Sequence, residues 1–270
     1  MPLRTSTGGS RGSVVCLVLV LGVVAASALL ARRHAACRIA MAGLILDGAH
    51  PTANLLLMRH AESVNNRCWY CKLFLGMRDP PLSPRGEAQA RAAGDNLRAR
   101  GVRVDVVLSS HLLRAIQTAA LAFPDATVHV APRIGEITFT GRSCYWGPGI
   151  CATPRADQRS YLGPKISSRV DWSYVGGDDG ENSDEALGGK PDWGAFTTWL
   201  AGQEQLTPAN GTVAIVSHGT FLEKQPLASC WGHPHNTQSY VGTVELGATP
   251  AGVLHGVHAV PYAPRPEALS

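Results

Sequence analysis

The chain has 270 residues, of which 45% are hydrophobic and 16% charged; this excludes a disordered polar chain and suits one sizeable domain or two small ones. Its net charge of +4 is confined to the N-terminal stretch, where Arg4, Arg11, Arg32, Arg33 and Arg38 face only Asp47, and the remainder is balanced. An excess held in a leader excludes a broadly basic nucleic-acid-binding face, so no nucleic-acid partner is expected.

The leader, residues 1–50, contains an uncharged apolar run, "VVCLVLVLGVVAASALLA" at 14–31, flanked by arginines. That run is short for a membrane span and long for a signal-peptide core. Ala26–Ala28 resembles a small-residue cleavage site, and the scarcity of acidic residues also fits a transit segment. The expectation is membrane association through 14–31 or entry into the secretory pathway, with organellar import as the alternative. Of seven cysteines, Cys16 and Cys37 lie in the leader. Cys68, Cys71, Cys144, Cys151 and Cys230 are an odd set that cannot pair completely. The CxxC of "CWYC" has no second well-spaced pair, and loop thiols or disulfides are expected before a zinc site.

Beyond the leader, strand-like and helix-like stretches alternate. "NLLLMRH" reads as a short strand buried on both faces. "DPPLSPRG" is a Pro-rich turn in which Ser83 can cap a helix with Pro84 at its first position; that helix ends near Gly101. "VDVVLSS" is a strand, "HLLRAIQTAALAF" a helix stopped before Pro124, and "ATVHVAP" a third strand. Residues 141–192 read as a long excursion of loops and short helices. "DWGAFTTWLAGQ" is an amphipathic helix. "NGTVAIVSHG" is a strand entered through an Asn-Gly turn, the same residues being a glycosylation sequon. "TFLEKQPLASCWG" is a short helix interrupted by Pro226. "SYVGTVEL" and "AGVLHGVHAV" are closing strands. The expected fold is α/β: a three-layer α/β/α domain over residues 51–262 with a mainly parallel central sheet, then a disordered tail at 263–270.

In such sheets ligands sit beyond the C-terminal ends of the strands. Three strands end suggestively: Arg59-His60, Ser109-Ser110-His111 and Ser217-His218-Gly219. Arg114 lies one turn into the helix after the second. Two guanidiniums and two imidazoles around one point repel each other unless an anion joins them. Phosphate is the natural match, since arginine pairs with its oxygens in bidentate fashion and imidazole can attack phosphorus.

These residues resemble the histidine phosphatase superfamily, which includes the phosphoglycerate mutases. "LLLMRHAES" resembles its Arg-His-Gly motif, with Ala61 in place of the usual glycine. "DPPLSPRGEAQARAAG" is similar to its Asp-x-Pro-Leu-Thr segment, and "LSSHLLRAIQTA" to its Ser-x-x-x-Arg-Ala-x-Gln-Thr element. "IGEI" resembles the stretch with the acidic proton donor, and "VSHGTFL" the second histidine motif. The resemblance implies a phosphoglycerate mutase-like fold and a phosphatase that works through a phosphohistidine on His60. Arg59, Arg114 and His218 would hold the phosphoryl group, and Glu136 would be the acid and base, with Glu62 as its alternative. Ser63 and Asn66 match phosphate-contacting positions, and Gly219 would let the backbone approach closely. Neither metal nor cofactor is expected, because the arginines supply the positive charge. The expected partner is a small phosphorylated substrate, with a phosphoprotein as the alternative. Mutase-type phosphoryl transfer and a catalytically idle, membrane-anchored binding protein are the rival readings. His111, His233 and His235 lack motif support and read as loop or surface histidines. Trp146, Trp172 and Tyr174 either line the substrate pocket or pack in a small core.

Overall fold

A strand buried on both faces needs apolar side chains pointing both ways, and β1 (Thr52–Arg59) supplies them in the run Leu55, Leu56, Leu57 and Met58, all buried. The computed structural model describes residues 52–67, 77–137, 152–176, 189–227, 231–246 and 252–261. The leader with its 14–31 run, all seven cysteines, Trp146 and the 263–270 tail lie outside the described residues. Among the described residues no helix is long and apolar enough to cross a membrane.

The elements follow in order as α1 (Pro84–Ala99), β2 (Val106–Ser109), α2 (Leu113–Ala122), β3 (Val128–Val130), α3 (Arg155–Ser167), β4 (Val170–Asp171), α4 (Trp193–Ala201), β5 (Thr212–Ser217), α5 (Gly219–Lys224), β6 (Ser239–Glu245) and β7 (Leu254–Ala259). They build one seven-stranded sheet of order β4-β3-β2-β5-β1-β6-β7. The first five in that order are mutually parallel, and β6 runs antiparallel to both β1 and β7. The expected mainly parallel sheet is present, closed on one side by an antiparallel pair.

Successive side chains of a strand point to opposite faces, and the two cores follow that alternation. Leu55 and Leu57 of β1, Leu108 of β2, and Val213 and Ile215 of β5 pack with Trp193, Phe196 and Leu200 of α4 and with Phe221 and Leu222 of α5. Leu56, Met58, Val107, Ala214 and Val216 pack on the other face, against Leu97 of α1, Leu113, Ile116 and Ala119 of α2, and Leu162 of α3. The domain is therefore three-layered. Each such fully buried aliphatic side chain contributes about 1.5–3 kcal/mol over an exposed one.

Local signals set the element ends. Ser83 caps α1 by accepting from Gly86 N at 3.0 Å, with Pro84 at the first helical position, and Gly101 at φ +72° follows its end. Asp192 caps α4, accepting from Ala195 N at 2.7 Å. Asn210 at φ +59° turns the chain into β5. The excursion reads as loops and short helices, and the edge strand β4 is what that reading lacks. Its described part holds the 13-residue α3, kinked at Gly163 (φ +67°) before Pro164, and the two-residue edge strand β4. Trp172 is a core residue with the Arg159 guanidinium 5.1 Å from its ring, and Tyr174 packs edge-on against His129 and Trp199. Core packing is thus the role of both aromatics.

Candidate active site

Sheet register brings the expected residues together. Arg59 of β1 pairs with Ser217 of β5, so His60 and His218 each lie one step past a paired position. His60 N donates to Ser217 O at 2.9 Å, and Ser110 N, just past β2, donates to Val216 O at 3.0 Å. The insertion of β5 between β1 and β2 sets three strand ends side by side. The His60 and His218 ring centroids are 5.1 Å apart.

His60 is 2% exposed. Its Nδ1 lies 2.7 Å from Ala61 O; a carbonyl can only accept, so Nδ1 carries the proton. Nε2 therefore presents a lone pair, and Arg114 Nε donates to it at 3.3 Å. The backbone carbonyl that the tautomer requires is supplied by the neighbouring residue itself.

Helix α2 carries Arg114 and is tied to the loop after β1. Ala61 N donates to Thr118 Oγ1 at 3.0 Å, and Thr118 Oγ1 donates to Arg114 O at 2.7 Å. Leu82 N donates to Gln117 Oε1 at 2.7 Å. No side chain of its own caps the start of α2. The buried Asp79 does so from outside, its Oδ1 accepting from Leu113 N at 2.8 Å. Asp79 Oδ2 accepts from Thr153 N at 3.0 Å and from Gln158 Nε2 at 2.7 Å. This one carboxylate joins the helix of Arg114 to α3. Burial raises its pKa, against those bonds and the field of Arg114.

Glu136 closes the group. Its Oε2 is 3.8 Å from His218 Nδ1, and ligand atoms of His60, Glu136 and His218 all lie within 4.8 Å of one another. Atoms that close can all touch one small centre. A cation there would face the guanidiniums of Arg59 and Arg114, so the charge balance suits a phosphoryl group. Burial first, then the opposing arginine, lowers the pKa of Arg59, and Glu136 works against that; burial likewise lowers Arg114, opposed by Glu136 and Asp79. His218 is fully buried and held well below the ordinary imidazole range, by burial first and then by Arg114, His60, His111 and Arg59. Its Nε2 lies 2.8 Å from Ser110 Oγ. The tautomer in which Ser110 donates to Nε2 puts the ring proton on Nδ1, on the Glu136 side. Arg59 Nε and His218 Nδ1 are buried donors with no hydrogen bond among the described residues.

Other expected residues take different places. Ser63 and Asn66 bond to each other: Ser63 N and Oγ both donate to Asn66 Oδ1, at 3.1 and 2.9 Å. Asn66 is exposed and Ser63 buried. The Glu62 carboxylate accepts from Ser83 Oγ at 2.8 Å and faces Arg85 at 3.7 Å, so it binds the loop to α1. Gly219 is tightly enclosed. A Cβ there would come within 2.5 Å of the His233 ring and 3.0 Å of Arg59 Nε.

Two features escape sequence reading. His111 is buried, and burial together with Arg114 lowers its pKa to about 4. The segment from Pro234 to Gln238 forms a wall behind the nucleophile. Arg59 Nη1 donates to Pro234 O at 2.6 Å, Asn236 Nδ2 to His60 O at 3.0 Å, and Thr237 N to Arg59 O at 3.1 Å. Most of these contacts run through backbone atoms and leave no motif; only the unassigned His233 and His235 pointed here.

Paired arginines and imidazoles at parallel strand ends, with a carboxylate beside them, form a group whose charge and geometry suit a phosphoryl anion. Residues 55–142 match the profile of the histidine phosphatase superfamily (branch 1). The chain is 46% identical over 81 residues to a 2,3-bisphosphoglycerate-dependent phosphoglycerate mutase of Thermobifida fusca, covering 30% of this chain and 31% of that protein. It is 43% identical over 83 residues to the enzyme of the same name from Methylobacterium sp., covering 30% and 38%. The alignments thus span about a third of the length of these curated relatives. Among solved structures, the ecdysone phosphate phosphatase of Bombyx mori is similar with a TM-score of 0.47 and 18% identity, over 81% of this chain and 95% of that one.

Proposed function

We propose that the protein is a phosphatase that hydrolyses a small phosphomonoester through a phosphohistidine on His60. The observation that carries this reading is the orientation of His60: Nδ1 is held by Ala61 O, and Nε2 points its lone pair at Arg114. In the first step Nε2 attacks phosphorus, the bond to the ester oxygen breaks, and Glu136 gives that oxygen its proton. Arg59, Arg114 and His218 Nδ1–H stabilise the charge on the non-bridging oxygens. In the second step the Glu136 carboxylate takes a proton from water as its oxygen attacks phosphorus. Inorganic phosphate leaves, and His60 and Glu136 return to their starting states. Ser63 and Asn66 stand at the edge of this proposal, as a bonded pair that would act on substrate only by exchanging that bond.

The test is hydrolysis of para-nitrophenyl phosphate by the full chain. Turnover is expected, and His60→Ala should lower it by about a thousandfold or more, as removal of a nucleophile does. Absence of turnover on a broad phosphoester panel would sink the reading in favour of an idle binding protein. The names of the curated relatives favour a second reading, mutase-type transfer. If 3-phosphoglycerate discharges the phosphoenzyme to a bisphosphate faster than water does, that reading replaces hydrolysis.

A further inference from the structure

His233 lies beside the phosphoryl site, and the mechanism gives it no part. Its ring lies within 2.5 Å of the position a Gly219 Cβ would take, and Arg59 Nε lies 3.0 Å from the same position. The next residue, Pro234, accepts from Arg59 Nη1. A ligand held by Arg59 Nε therefore lies beside this imidazole. The His233 side chain is 48% exposed, so it stands at the rim, where the part of a substrate beyond the phosphoryl group must lie. Its Nδ1 is 2.8 Å from Glu223 Oε2. A carboxylate can only accept, so Nδ1 bears a proton; Cε1 and Nε2 are the ring atoms turned to the Gly219 side, and of these Nε2 is the one that can hydrogen-bond.

The charge of this pair restricts what it can recognise. With a neutral ring the pair carries −1, and with a protonated ring it carries zero. In neither state does it offer net positive charge to a second anion. A hydroxyl fits both states, giving its proton to a neutral Nε2 or accepting from a protonated one. Resting on the phosphoryl-site reading above, we propose that His233, oriented by Glu223, is a specificity-determining residue that selects phosphomonoesters with a hydroxyl one or two carbons from the phosphoryl group, the pattern of sugar and polyol phosphates.

Phosphonates test this, because their C–P bond does not break when His60 attacks. Binding of ethylphosphonate, 2-hydroxyethylphosphonate and 3-phosphonopropionate to the full chain is measured by calorimetry. The hydroxyl compound should bind roughly three- to tenfold more tightly than ethylphosphonate, the gain of one hydrogen bond. His233→Ala and His233→Phe should erase that advantage while the ethylphosphonate Kd stays within about twofold, which also shows that the variants fold. Glu223→Gln should weaken the advantage without abolishing it. A hydroxyl preference that survives both His233 substitutions overturns the proposal. So does a wild-type chain that prefers the carboxylate compound and loses that preference with His233. If the wild-type chain binds none of the three, the phosphoryl site itself falls with it; if it binds all three equally, only the role of His233 falls.

Discussion

Thr118 binds the strand end that carries the nucleophile to the helix that carries Arg114: its hydroxyl accepts from Ala61 N at 3.0 Å and donates to Arg114 O at 2.7 Å. Thr118 is fully buried. Thr118→Val keeps the shape and removes both bonds, leaving the Ala61 N–H buried and unsatisfied. Such a loss costs about 1–3 kcal/mol. Urea denaturation should show a lowered midpoint with an unchanged slope. Because Ala61 O also fixes the His60 tautomer, kcat should fall as well.

Gly86 permits the close approach of α1 to the loop after β1. A Cβ there would lie 1.9 Å from Glu62 O, a backbone atom that cannot move aside without shifting the loop. Gly86→Ala should therefore destabilise by about 3 kcal/mol or more, at the upper end of overpacking. Thermal unfolding measures it. Gly101→Ala is the contrast: no atom lies within 4 Å of a Cβ there, so its cost is only the strain of φ +72°.

Asp79 makes stability depend on pH. Its folded pKa is raised by burial, so the folded state binds its proton more tightly than the unfolded state does. The stability it contributes is complete below the unfolded carboxyl value of about 3.9 and is lost as pH rises through the native value. Asp79→Asn cannot accept from Leu113 N, Thr153 N and Gln158 Nε2 at once, so it should be destabilised by about 1–3 kcal/mol. The gap between wild type and variant should narrow as pH rises from 4 toward neutrality. A gap that widens would contradict the raised carboxyl.

His111 and His218 act in the opposite direction. An imidazole whose folded pKa is depressed contributes stability that is complete above its unfolded value near 6.5 and is lost as pH falls toward the native value. For His111, at about 4 in the folded chain, the loss is of order 3 kcal/mol between those limits. His111→Leu should flatten the acid limb of a stability profile by about that amount, leaving the neutral limb in place. His218 should steepen the same limb in the wild type.

Much of this was legible where side-chain chemistry repeats along the chain. The apolar run before Arg59 identified β1, and Ser83-Pro84 identified the start of α1. The ordered motifs singled out Arg59, His60, Arg114, Glu136 and His218, which the sheet register brings to one edge. Other features carry no periodic signal. Two residues are too few for β4 to show alternation. The place of β5 between β1 and β2 depends on pairing across more than a hundred residues. Asp79 caps α2 from 34 positions away, a link no local pattern encodes. The wall from Pro234 to Gln238 works largely through backbone atoms. His111 looked like a loop histidine because burial is a property of the packed sheet edge and not of its neighbours in sequence.

The most direct test of the central claim is to mix the full chain with a phosphorus-labelled phosphomonoester, quench within milliseconds, and map the label. Acid-labile, base-stable phosphate on His60 is the expected result, absent in His60→Ala; in Glu136→Gln, which can neither protonate the leaving oxygen nor activate water, the label should both form and disappear more slowly. Turnover of the same ester with no label on His60, or with label on another residue, would contradict the account.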